Sequence, residues 1–220
     1  MTNKNINHYE KLAHLFQYPK TDYKEKVKEA ETILSEFYPE TLTTFKQFSD
    51  FVYNSSHDEI TEIFTRTFDV QAITTLDVGY VLFGDDYKRG ELLVNLNREH
   101  REAANECSDE LADNLFNLLS LLPKMQNHEI RDELVEIIIM PGLTKIISEF
   151  DTKNINLKNK VYKKQYKTII EQSEDFGRIF LIPLMVVYKI IENDFGYIKP
   201  TEENNKNNFT DAITSEIEID

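Results

Sequence analysis

From one end of this chain to the other, apolar residues recur three and four positions apart, a spacing that favours helices and disfavours strands. Tyr9, Leu12, Leu15 and Phe16 share a face of a first helix, which stops before Pro19 because the residue ahead of a proline avoids helical geometry. Tyr23, Val27, Ala30, Leu34 and Phe37 make a second stripe. Pro39 suits the start of a third helix, where its missing N–H is not needed, and Leu42, Phe45, Phe48, Phe51 and Val52 give that helix an aromatic face. Ser56-His57-Asp58-Glu59 is a capping box opening a fourth, with Ile60, Ile63 and Phe64 inward. There are no period-2 strand pairs and no fixed-period repeat. The expected fold is all-α, one helical bundle over residues 1–200.

The second half reads the same way. Ser108 is the expected N-cap of a helix over 108–122, with acids in its first turn and Leu111, Leu115, Leu118, Leu119 and Leu122 as its buried side. A long helix from Glu129 to Met140 should break or kink at Pro141-Gly142 before resuming over 143–150. Residues 151–168 carry six lysines and one acid, read as a loop entering a helix with a solvated basic face. Ser173 to Phe195 is a final helical element interrupted at Pro183. Residues 201–220 hold six acids, one lysine and four asparagines, the composition of a disordered acidic tail.

The formal net charge is −14, from 25 basic and 39 acidic residues, so the surface repels nucleic acid and anionic lipid and favours cationic partners. Cys107 is the only cysteine, which removes any disulfide framework or cysteine-based zinc or iron–sulfur site within one chain and fits a reducing cytoplasm. The first sixteen residues lack the apolar core of a secretory signal. The most apolar segment, Ile179 to Tyr188, falls well short of the roughly 20 apolar residues of a membrane span. A soluble cytoplasmic protein with no membrane insertion is expected.

Nucleotide-binding glycine loops, zinc-protease helices and nucleophile elbows are all missing from the sequence. Histidines 8, 14, 57, 100 and 128 are scattered, and the set His100, Glu99, Glu102 and Glu106 reads as solvated helix charge rather than a metal site. Acidic neighbours should raise the pKa of Cys107 and leave it unreactive. No catalytic and no metal-ligating residue is assigned, and a binding protein is expected rather than an enzyme. A groove lined by Tyr80, Phe83 and Phe116 and rimmed by Asp85, Asp86, Glu110 and Asp113 would accept a basic amphipathic segment. Two other classes stay open: a helical adaptor for a different partner, and a metal-dependent hydrolase built on carboxylates.

The stretch from Glu62 to His100 is the most distinctive. Gly84 and Gly90 bracket the polar segment Asp85-Asp86-Tyr87-Lys88-Arg89, with an apolar helical run on each side, so a tight corner is expected there. LAHLFQYP at 12–19, EIFTRTFDV at 62–70 and YVLFGDDYKRGELLVNL at 80–96 resemble three segments of the nitrate reductase molybdenum-cofactor assembly chaperones, the NarJ-like branch of the TorD/DmsD redox-enzyme maturation proteins. SDELADNLFNLLSLL at 108–122 is similar to a fourth, with Ala112 where the family has proline and Asn114 where it has His or Tyr.

This resemblance implies an all-α cytoplasmic chaperone with no reaction of its own. Its partner would be the basic N-terminal segment of a molybdoenzyme catalytic subunit, held open for insertion of the bis-pterin molybdenum cofactor before docking or export. The cofactor would be met only transiently, through the client, and none would be bound stably. The resemblance carries over Tyr80, Phe83, Gly84, Asp85, Arg89, Gly90, Glu110 and Asp113, with Gly84, Arg89 and Gly90 as the structural corner. It allows a monomer or a dimer and leaves the client oxidoreductase open.

Overall fold

The computed structural model of the 220-residue chain describes residues 6–107, 109–155, 158 and 178–197. Helix α1 (His8–Ala13) tightens into a 3-10 turn at His14–Phe16. After it come α2 (Tyr23–Phe37), α3 (Pro39–Asn54), α4 (His57–Phe68), α5 (Val78–Phe83) and α6 (Tyr87–Glu102). The second half holds α7 (Leu115–Leu121), α8 (His128–Glu133), a π-helical turn (Leu134–Ile139), α9 (Met140–Ser148) and α10 (Leu181–Phe195). The chain is an all-α single-domain bundle, and among the described residues there is no strand.

α2 packs on α3, α1 on α7 and α2, α10 on α3 and α9, and α5 on α9 and α6. The centre is aromatic. Phe180, just ahead of α10, receives the rings of Phe48, Phe64 and Phe68 edge-on at centroid distances of 5.4, 5.3 and 5.5 Å. Such pairs add about 0.5–1.5 kcal/mol each beyond the area they bury. The Thr-Phe-Asp segment of α4 is therefore core at its middle residue. Thr67 beside it turns its hydroxyl back to the Ile63 carbonyl at 2.7 Å.

Several boundaries follow the sequence. Ser56 and Glu59 form the reciprocal capping box, with Glu59 N–H 3.2 Å from Ser56 Oγ and Ser56 N–H 2.7 Å from Glu59 Oε2. Pro39 opens α3. Others differ. Helix α7 starts at Leu115, not near Ser108, because Asn114 is its N-cap and accepts from Phe116 N–H at 3.0 Å. Leu111 consequently lies in the preceding loop at 51% exposure instead of on a buried face. Phe37, expected on the buried stripe of α2, is exposed at its end and stacks on His8 at 6.4 Å.

Pro141 does not break the chain into two helices. The N–H of Met140 reaches back five residues to the Val135 carbonyl, so a π turn widens the helix ahead of the proline. That widening takes the carbonyl row out of register with the ring, which would otherwise collide with the carbonyl four residues back. Gly142 then allows α9 to touch α5, since a Cβ there would run into Val78 Cγ1. Pro183 sits in the first turn of α10, where no intrahelical donor is required, and interrupts nothing. Of the 151–168 stretch only residues 151–155 and 158 are described, with 152–155 helical; the acidic segment 201–220 lies outside the described residues. Among the described residues, no helix is long and apolar enough to cross a membrane.

Candidate functional site

The corner between α5 and α6 is a single glycine and two aspartates. Gly84 closes α5 with φ +63° and ψ −138°, a conformation that residues with a Cβ rarely adopt, and its N–H bonds the Tyr80 carbonyl at 2.7 Å. Asp86 then caps α6, its carboxylate accepting from Lys88 N–H at 2.9 Å. Asp86 thus caps the helix while staying exposed, as its neighbour Asp85 is. Gly90 is not part of the corner. It lies inside the first turns of α6, with open space where a Cβ would be.

Arg89 holds the corner together. Its Nε donates to Asp113 Oδ2 at 2.9 Å, and Nη2 donates to Asp77 Oδ2 at 3.0 Å. Its guanidinium carbon also lies 5.1 Å over the Tyr80 ring. Asp77 accepts from Asn114 Nδ2 at 3.2 Å through its other oxygen. The two segments of this knot are laced by Val78 N–H to Asp113 O and Leu115 N–H to Leu76 O, both 2.9 Å. One arginine thus joins the start of α5, the start of α6 and the loop ahead of α7.

Asp113, expected at the rim of a groove, is instead 0% exposed and forms the inner wall of this knot. Gly79 is what admits it: a Cβ at that position would sit 2.5 Å from Asp113 Oδ2. A carboxylate this deep is stable only because Arg89 neutralises it, and removing one partner of such a pair costs about 3–5 kcal/mol. Phe116 is also misplaced by the sequence reading. It is buried with its ring 5.5 Å from His14, and no ring contact joins it to Tyr80 or Phe83 among the described residues. The three-aromatic groove is therefore not assembled.

What the corner presents to solvent is Tyr80 at 43% exposure, a half-buried Phe83, Asp85, Asp86 and Glu110. Partial burial pushes the Glu110 carboxyl upward, with the charges of Asp77, Asp69 and Asp109 adding to it. The surface is thus an aromatic edge beside concentrated negative charge. Tyr87 and Val94 on α6 and Leu111 in the loop that follows are exposed as well. Sequence reading missed Asp77 and Asn114, although each is a polar residue directly ahead of an apolar helical run, the usual signature of a helix start.

His100 is closed off. Nε2–H donates to the Ala112 carbonyl at 3.1 Å, and Nδ1 accepts from Asn105 Nδ2 at 2.9 Å, which assigns the neutral tautomer. Burial lowers its pKa, opposed by the Ala112 bond and aided by Lys124. With both nitrogens engaged, it is not free to hold a metal beside Glu99, Glu102 and Glu106. No group of three or more His, Cys, Asp or Glu is placed to bind a metal ion among the described residues. The thiol of Cys107 is pushed up by burial, rather than by the acidic neighbours that the sequence suggested. No protein-family model matches the chain, and no curated protein matches it either.

Proposed function

We propose that this protein is an assembly chaperone that binds the basic N-terminal segment of a molybdenum-containing oxidoreductase catalytic subunit. It performs no reaction. In the cytoplasm it keeps the client open while the bis-pterin molybdenum cofactor is inserted, and it touches that cofactor only through the client. The observation that carries the reading is the Arg89–Asp77–Asp113 knot at the corner whose sequence resembles the chaperone family. It fixes Tyr80 and Asp85 on a rigid support, so a partner meets a preformed aromatic and acidic edge and little ordering entropy is lost on binding. The −14 net charge supports a cationic client, drawn in by a long-range field that salt weakens.

The test is reconstitution. An apo molybdoenzyme catalytic subunit is incubated with molybdenum cofactor, with and without the protein. Molybdenum content and enzyme activity are expected to rise several-fold with it, and Tyr80→Ala with Asp85→Asn should remove most of the gain. Equal loading in its absence would overturn the chaperone reading.

A further inference from the structure

A second surface lies away from the corner. A groove of about 660 Å³ runs between α3, α9 and α10. Its apolar floor is Ile147, Met185, Val186 and the Tyr188 ring, and Met185 is 49% exposed on a helix that is otherwise largely buried. Most polar groups of the groove already have partners. Thr41 Oγ1 donates to the Tyr38 carbonyl at 2.8 Å, Thr144 Oγ1 to Met140 O at 2.9 Å and Ser148 Oγ to Lys145 O at 2.7 Å. Lys189 pairs with Glu192, and Glu40 accepts from Asn193. What the groove offers an occupant is therefore apolar contact.

We propose that the segment Phe209–Ile217 of this same chain docks in that groove. The groove is built on α10, and α10 is the helix from which the segment departs. Gly196, left-handed at φ +67° and ψ 30°, ends that helix and turns the chain out of it beside Glu192, at one end of the groove. From Glu192 to Met185 the groove follows α10 for about 10 Å. Residues 198–208 can span about 35–40 Å, so reach is ample. Phe209, Ala212, Ile213 and Ile217 recur at helical spacing and are the apolar residues of an otherwise polar stretch.

Tethering supplies the rest. A short linker holds a segment at an effective concentration of the order of millimolar, so even a contact too weak to form between separate molecules is populated. Lys189 is taken by Glu192, so Glu40 leaves the rim with one net negative charge against Asp211 and Glu216 of the segment; charge opposes docking weakly and occupancy should rise with salt. The groove shares no residue with the corner, and the proposal stands apart from the chaperone reading.

The chain has four methionines, and among the described residues Met185 is the only one in the groove. The test is a methyl NMR spectrum of the full chain labelled at methionine methyls, compared with the full-length variant Phe209→Ser/Ile213→Ser. The Met185 methyl should move while buried Met125 and Met140 stay in place, and its position should not depend on protein concentration. In a Cys107→Ser background, a spin label on Ser215→Cys should broaden Met185 in the intact chain and lose that effect when Phe209 and Ile213 are serine. An unmoved Met185 methyl with no broadening would overturn the proposal. So would a shift that grows with protein concentration, which would assign the groove to a second copy of the chain.

Discussion

Two glycines a few residues apart have opposite roles, and substitution separates them. At Gly84 the backbone stands at φ +63°, where a Cβ is strained. Gly84→Ala should therefore cost about 1–3 kcal/mol. At Gly90 the backbone is helical and a Cβ would meet nothing, so Gly90→Ala should stabilise by about 0.5–1 kcal/mol by restricting the unfolded chain. Urea unfolding of the two variants measures both signs. The Arg89 knot yields a second test at this scale. Arg89→Met leaves the Asp113 charge buried and unpaired, and should lose about 3–5 kcal/mol. Arg89→Met/Asp113→Leu removes both charges and should recover much of that loss. A double variant less stable than Arg89→Met would mean the pair itself, and not the orphaned charge, holds the corner.

Between elements, the end of α10 is fastened by polar groups as well as by packing. Asp194 Oδ2 accepts from Tyr38 Oη at 2.6 Å and from Tyr9 Oη at 3.0 Å, and His8 Nε2 lies 3.2 Å away. One carboxylate thus ties α10 to α1 and to the turn between α2 and α3. Burial by itself would raise its pKa, but the hydrogen bonds from His8, Tyr38 and Tyr9 prevail and lower it. The folded state therefore favours the ionised form. Asp194 contributes its full stability above the ordinary carboxylate pKa and loses it as pH falls through the lower folded value. Asp194→Asn should cost about 2 kcal/mol near neutrality, and the gap to the unmodified protein should narrow only below about pH 4. Thermal unfolding at a series of pH values reads this directly.

His100 acts with the same sign in a different window. Its pKa is depressed, so the unfolded chain takes up a proton that the folded one refuses, and stability should decline as pH drops below about 6.5. His100→Gln should flatten that decline. Element positions were legible where local chemistry alone sets them: the capping box at Ser56 and the proline start at Pro39 both stand. They were illegible where two signals competed. Ser108 and Asn114 both precede leucines, and the lacing between Leu76–Val78 and Asp113–Leu115 decides for Asn114. The π turn before Pro141 accommodates the proline ring by widening the helix one turn earlier, a remedy that apolar spacing does not reveal.

At the scale of the whole molecule, helical spacing was enough to specify an all-α bundle, because every stripe had one buried face to satisfy. The surface was less legible. Periodicity does not separate an aromatic that lines a groove from one that fills the core, so Phe116 and Tyr80 looked alike until burial distinguished them. Nor does it reveal that a carboxylate can lie inside when an arginine from another helix reaches it, as at Asp113. The corner as built offers Tyr80, Phe83, Asp85, Asp86 and Glu110 rather than a three-ring groove. The most direct measurement of the proposed function is a calorimetric titration with a peptide copying the basic N-terminal segment of a molybdoenzyme catalytic subunit, at low and high salt. Binding should weaken with salt, fall about tenfold in Tyr80→Ala and lose part of its salt dependence in Asp85→Asn, while Tyr18→Ala leaves it unchanged. Tight binding indifferent to salt and to both corner substitutions would contradict the account.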